Sequence, residues 1–152
     1  MKVYIGADYK GFEAKKRLLA YLQEHGYDVV DVGSYQGVEE NDFNDPAIAA
    51  ALAIRGSKAS VGFFGILICD SAHGMTMQAN RFKGIRAAHC TTPESAKLAR
   101  EHDDANVLCL SARFMDEKTM TEIAEVFLNT KFEALERRLK RINRLDERKD
   151  YD

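Results

Sequence analysis

The chain has little that would hold a fold together from outside its own core. There are three cysteines, Cys69, Cys90 and Cys109, an odd number with no CxxC pair. Neither a disulfide framework nor a zinc knuckle is suggested by that pattern. No apolar run approaches the ~20 residues of a membrane helix. There is no excess of positive charge: the formal net charge is −2, which argues against a strongly basic nucleic-acid protein. Neither G-x-G-x-x-G nor G-x-x-x-x-G-K-[ST] occurs, so a nucleotide cofactor is disfavoured. Internal repeats and low-complexity stretches are absent. The first residues, Met1 to Gly6, run directly into a strand-like segment, and the expectation is a cytoplasmic protein without a signal peptide.

What is present suits one ordinary domain. The 152 residues are 45% hydrophobic and 30% charged, a soluble globular balance. Strand-length apolar runs alternate with amphipathic helical stretches. Strands are predicted over 3–7, 27–32, 65–69, 84–89 and 106–110. Helices are predicted over 13–25, from Pro46 to about Arg55, and over 74–81 and 93–101. A last helix of this part follows the N-cap Asp116 and runs to about Asn129. Residues 34–44 and 56–60 read as a loop and a connector. Five strands alternating with helices predict a Rossmann-like α/β sandwich around a five-stranded parallel sheet. Ligands of such sheets bind beyond the carboxyl ends of the strands. Position therefore nominates the loops 8–11, 70–74, 90–93 and 111–113.

The segment 131–152 is read as a further helix of the same domain as residues 1–130. Leu128, Phe132, Leu135, Leu139, Ile142 and Leu145 form one apolar stripe at helical spacing, long enough to predict packing on a partner subunit. The segment holds eight Lys/Arg and six Asp/Glu, a net of +2, whereas residues 1–130 hold fourteen and eighteen, a net of −4. The cationic run Arg137, Arg138, Lys140, Arg141 and Arg144 reads as a solvated face or as an anion site for a small phosphate.

Several residues carry possible chemistry. Cys69 ends a buried strand before a small-residue loop and a helix start. Helix-end N–H groups there can lower a thiol's pKa or hold an oxyanion, whereas a free cysteine is also commonly plain core. His102, at a helix end, is a dipole partner or a proton shuttle. Arg113, just after strand five, suits a phosphate or carboxylate, or a surface salt bridge. His25, His89, Cys90 and Cys109 read as structural.

Together these segments resemble the ribose-5-phosphate isomerase B family, which includes the galactose-6-phosphate isomerase subunits. The resemblance runs from Met1 to about Phe132. It is strongest over Gly84–Ala88, Ser95–Leu108 and Ala112-Arg113, and extends to Gly6-Ala7-Asp8, Gly11-Phe12, Gly26–Gly33, Phe127–Thr130 and Phe132-Glu133. It implies aldose–ketose isomerisation of a pentose or hexose phosphate through a cis-enediolate, with no metal or cofactor. It also implies a homodimer or tetramer with active sites at the dimer interface. On this resemblance Cys69 is the proton-shuttling base, and Ser71 stands at the loop's threonine position. N–H groups around Ala72, His73, Gly74 and Met75 hold the enediolate. His102 with Asp8 opens the sugar ring. Tyr9, Asp45, Asp70, Asn106 and Arg113 complete the substrate-binding set, with Arg137, Arg138 and Arg141 reaching from the partner.

Three positions depart from the family's pattern. Tyr9 replaces a histidine and brings no positive charge. The loop Cys69-Asp70-Ser71-Ala72-His73-Gly74 loses two glycines and gains a carboxylate that should oppose a forming enediolate, unless a protonated His73 offsets it. The C-terminal arginines are one position out of register, which leaves Arg137 and Arg141, four apart, as the expected phosphate clamp, with Arg138 in reserve. Two other readings remain at this level. One is a non-catalytic member that binds a sugar phosphate or serves in a hetero-oligomer. The other is a flavodoxin-like binding domain.

Overall fold

A computed structural model of the chain describes residues 1–35, 42–55 and 62–147. Most of the predicted loop 34–44, the connector 56–60 and the last five residues lie outside the described part. The elements, in order, are β1 (Lys2–Ala7), α1 (Phe12–Glu24), β2 (Asp28–Asp31), α2 (Asn44–Arg55), β3 (Phe63–Cys69) and α3 (His73–Ala79). They continue with β4 (Ala87–His89), α4 (Pro93–Asp103), β5 (Val107–Ser111), α5 (Glu117–Asn129) and α6 (Glu136–Asp146). The strands form one parallel sheet in the order β2-β1-β3-β5-β4. Helices cover both faces, as expected for a doubly wound fold.

The sheet sorts its side chains by alternation. Val3, Ile5, Ala7, Ile66, Ile68, Leu108 and Leu110 face α1, α4 and α5, where Leu18, Leu22, Ile123 and Phe127 close one core. Leu67, Cys69, Val107 and Cys109 face α2 and α3, packed by Ala47, Ala50, Ala51, Met75 and Ala79. β3 is buried on both sides, which is why its sequence is a continuous apolar run rather than an alternating one.

Helix starts follow local chemistry. Thr92 and Ser95 form a reciprocal capping box around Pro93. Asp116 accepts from the Thr119 N–H. α2 begins at Asn44 rather than at Pro46, because the Asp42 carboxylate accepts from the Asn44 N–H at 2.7 Å. Pro46 is then the third helical residue, where no intrahelical N–H bond is required.

Two predicted elements change. β4 is three residues long, not six, because the Asn106 amide ties down the stretch before it: Oδ1 accepts from the Arg86 N–H and Nδ2 donates to the Gly84 carbonyl. The apolar stripe from Leu128 to Leu145 is not one helix. α5 ends at Asn129, Thr130 is extended, and the Glu133 N–H donates to the Glu101 carbonyl before α6 begins. Leu128 therefore belongs to the main core and Ile142 is buried on α6, while Leu135, Leu139 and Leu145 are exposed. No helix among the described residues is long and apolar enough to cross a membrane.

Candidate active site

In the order β2-β1-β3 the chain steps to one side after β1 and to the other after β3, so the loops after these two parallel strands leave toward opposite faces and open a crevice at the carboxyl edge. Asp8 follows β1 and Cys69 ends β3. Gly11 brings the first loop down onto β3: a Cβ there would lie 2.2 Å from the Ile68 carbonyl oxygen. Only glycine allows this approach. The Gly11 N–H in turn donates to the Asp8 carboxylate at 2.8 Å.

Cys69 is 4% exposed. The Ala72 N–H donates to its sulfur at 3.1 Å, and the N–H groups of Ser71 and Met75 also face it. Burial nevertheless pushes the thiol up, helped by the Asp8 carboxylate nearby and opposed by the three N–H groups. Burial likewise raises Asp8 against the N–H groups of Gly11, Lys10 and Asp70. Ala72 stands at the start of α3 with φ +70°, a left-handed backbone that glycine adopts without strain. The loop therefore keeps its turn without a glycine, at a conformational cost of about 1–2 kcal/mol. Phe43, just before α2, lies over Gly74, where a Cβ would come within 2.8 Å of its ring.

Asp70 and Arg113 are partners. Arg113 donates through Nε at 3.0 Å and Nη2 at 2.7 Å to one Asp70 carboxylate oxygen. The Arg113 N–H donates to the Asp70 carbonyl, and the Ser111 hydroxyl does so at 2.6 Å. The pairing follows from strand order, since Cys69 and Ser111 stand side by side on β3 and β5. Hydrogen bonding and charge from Arg113, with Lys10 nearby, hold the Asp70 carboxyl below its ordinary value. The charge that offsets Asp70 is thus Arg113, not the expected His73. His73 is exposed and meets His89 edge-on at 5.6 Å, and burial together with His73 pushes His89 down.

The other nominated residues divide between the two ends of the sheet. Tyr9 is half-buried and stacks under the Lys10 ammonium, and Asp45 is exposed in the first turn of α2, both at the carboxyl edge. His102 lies at the end of α4, which runs back against the strands. It therefore sits at the opposite edge from Cys69, roughly 20 Å away for a strand of seven residues. Asn106 is at that edge too, with its amide engaged as described. So is Arg138, which is buried and donates to the Glu133 carboxylate and the Glu101 carbonyl. Arg137 and Arg141 are exposed on α6. Within one chain, then, the structure brings together Asp8, Cys69, Asp70, Ser71, Ala72 and Arg113, and it keeps His102, Asn106 and the α6 arginines apart from them.

One buried residue was not anticipated. Lys15 is fully buried, with its ammonium 2.8 Å from both Asp31 oxygens and donating to the Ser34 carbonyl. It ties α1 to the segment after β2, whose Gly33 and Ser34 bond to β1 at Ala7. Its spacing from Leu18 and Leu22, three and seven residues along the apolar stripe of α1, was the available signal.

Fold and site define a class: a doubly wound α/β protein with a buried thiol, a carboxylate and a ring of backbone donors at its switch point. The sequence pattern described as Ribose/Galactose Isomerase matches residues 3–145, and the chain belongs to that family. It is 34% identical over 151 residues to ribose-5-phosphate isomerase B of Escherichia coli, covering 98% of this chain and 99% of the relative. Among solved structures, a ribose 5-phosphate isomerase of Thermotoga maritima superposes with a TM-score of 0.88 at 38% identity, covering 97% of this chain and 98% of the other. Ribose-5-phosphate isomerase B of Mycoplasma genitalium, with bound ribulose-5-phosphate, gives 0.89 at 35% identity, covering 95% and 93%. The protein is a sugar-phosphate isomerase of the aldose–ketose class.

Proposed function

We propose that the substrate is a pentose phosphate, with ribose 5-phosphate and ribulose 5-phosphate as the interconverted pair, and that Cys69 is the base. The observation that carries this reading is a thiol held beside a carboxylate and facing three backbone N–H groups at the crevice between β1 and β3. On this mechanism the Cys69 thiolate takes the proton from C2 of the open-chain aldose and returns it to C1. As the proton moves to sulfur, negative charge moves to the substrate oxygen, and loop N–H groups stabilise the enediolate. Asp8 assists ring opening as an acid–base group. Arg113 binds the phosphate after releasing Asp70.

The reading also requires two chains. His102, Arg137 and Arg141 stand at the opposite edge of the sheet, so they can serve a Cys69 only if a second subunit presents that edge to it. The exposed Leu139 and Leu145 of α6 are apolar surface that such a contact would cover. An assay with ribose 5-phosphate and a panel of hexose phosphates tests the proposal, with Cys69→Ala as the control. Ribulose 5-phosphate should form, with solvent deuterium appearing at C1, and Cys69→Ala should abolish both. Full turnover by Cys69→Ala would remove the mechanism, and preference for a hexose phosphate would remove the substrate.

A further inference from the structure

At the amino edge of the sheet, away from Cys69, lies a cavity of about 200 Å³ between the start of β3, the end of α2 and the segment before β4. Its charged wall is Arg55, Lys83, Arg86, Arg100, Asp104 and Asp146, four cations against two carboxylates, a net of +2. Both carboxylates are committed. Asp104 takes Arg86 at 2.9 Å and Arg100 at 2.7 Å, and Asp146 takes Arg86 at 3.3 Å. Arg55 and Lys83 are exposed at the rim, and among the described residues neither has an ion-pair partner.

The floor is unusual in a second way. Arg100 is 6% exposed, with its guanidinium over the rings of Phe64 and Phe127. Its Nη1 serves the Asp104 carboxylate and the Ala105 carbonyl, but its Nε–H is buried with no acceptor. A buried donor without a partner is rare and calls for a specific reason, of which a bound ion is one. Here the orphaned donor belongs to a permanent cation in a wall with two surplus positive charges. Arginine and lysine in this mixture are the side chains that recognise phosphate oxygens.

We infer that this cavity is a second anion site, separate from the catalytic crevice, that takes a phosphate dianion or the phosphoryl group of a small monoester. The net +2 of the wall matches a dianion. The Arg55 and Lys83 side chains supply donors that no ion pair among the described residues uses, and the Arg100 guanidinium beneath them adds a fixed positive charge. The site lies on the half of the chain that carries His102 and Asn106, and Asn106 itself forms part of its wall. Occupation would fix the segment 83–86 against β5, the same connection that the Asn106 amide holds.

The test uses the full-length protein and inorganic phosphate. Phosphate titration is followed by calorimetry and by the Arg100 Nε–H resonance, in the wild type, in Arg113→Ala and in the double variant Arg55→Ala/Lys83→Ala. The two rim residues are exposed and their replacement leaves the packing intact. The expected result is a shift of the Arg100 signal that persists in Arg113→Ala and weakens at least ten-fold in the double variant, with KM for the sugar phosphate unchanged there. An Arg100 signal that phosphate never moves, or one that moves equally in the double variant, overturns the inference. Loss of all phosphate binding in Arg113→Ala would also overturn it, whereas loss of one binding event with the Arg100 shift retained assigns the lost event to the catalytic crevice.

Discussion

Gly11→Ala is the substitution that most directly tests how the crevice is built. The added Cβ would stand 2.2 Å from the Ile68 oxygen and 2.6 Å from its carbon, where ordinary contacts begin at 3.4 Å. Both atoms are backbone of the central strand, so β3 cannot yield cheaply and the loop must retreat by about an ångström. Asp8 moves with it, because the Gly11 N–H anchors its carboxylate at 2.8 Å. A displacement of that size in a catalytic group costs about 100-fold in rate. The overpacking itself should cost about 1–3 kcal/mol of stability. Gly26→Ala is the control: at φ +83° it is strained, yet nothing lies within 4 Å of the new methyl and it stands at the other edge of the sheet. It should lose about 1–2 kcal/mol in urea unfolding and keep its kcat. Steady-state kinetics and urea melts on both variants decide the matter. A folded Gly11→Ala enzyme with wild-type kcat would show that Asp8 need not stand where Gly11 puts it.

Asp70→Asn frees Arg113 of its counter-ion, so KM for the sugar phosphate should fall several-fold with kcat little changed. A rise in KM would mean that Asp70 contacts the substrate instead. Activity should climb with pH and still be rising as the medium enters the ordinary thiol range, because burial raises Cys69; a plateau below neutrality would exclude a thiolate base. Stability should move the other way. Burial lifts Cys109 to about 12 and Cys90 to about 11, so above the ordinary thiol range the unfolded chain loses protons that the native one keeps. Each such thiol then lowers the unfolding free energy by about 1.4 kcal/mol per pH unit, which urea melts from pH 8 to 10.5 should resolve and Cys109→Ala should reduce. Mixing Cys69→Ala with His102→Ala subunits tests the two-chain site. If each site takes Cys69 from one chain and His102 from the other, a mixed dimer keeps one intact site, and random exchange restores about a quarter of wild-type activity. A mixture as inactive as its parents would place the whole site within one chain.

The five strands were legible because each is a short apolar run bounded by turn residues, and the α4 and α5 starts because Thr92, Pro93 and Asp116 are local signals. Position after the strands nominated the loops that begin with Asp8 and end with Arg113 and left Cys69 open between core and chemistry, and the family resemblance supplied the expected roles. What local pattern could not supply was the neighbour across the sheet. Asp70 read as an unpaired charge until β3 and β5 lay side by side and Arg113 came with them. The same holds at the C-terminus. The spacing from Leu128 to Leu145 is helical throughout, but the Glu133 N–H finds a better partner in the Glu101 carbonyl, and that contact across 32 residues breaks the helix in two. Arg138 read as a free cation for the same reason, since Glu133 and Glu101 reach it only once this break has formed.

The thiol and its loop show why the divergent sequence can retain the chemistry. A base that takes a proton from carbon benefits from high basicity, and burial supplies it to Cys69 at the expense of the thiolate population. The N–H groups of Ser71, Ala72 and Met75 oppose that loss, since they favour the anion on sulfur. On the proposed mechanism they do so only before transfer. Once sulfur holds the proton, the charge resides on the enediolate oxygen, and donors already fixed by the turn at Ala72 can follow it without reorganising. On the proposed mechanism Ala72 is tolerated because what the reaction needs from this loop is the direction of its N–H groups, which the left-handed backbone sets whether or not a methyl is attached. Asp70 is matched by Arg113, and on the proposed mechanism that match is given up when the phosphate takes Arg113. The loop departures at Ala72 and Asp70 thus keep the backbone direction or stand beside a matching charge, and on the proposed mechanism they leave the thiol and its donors in place.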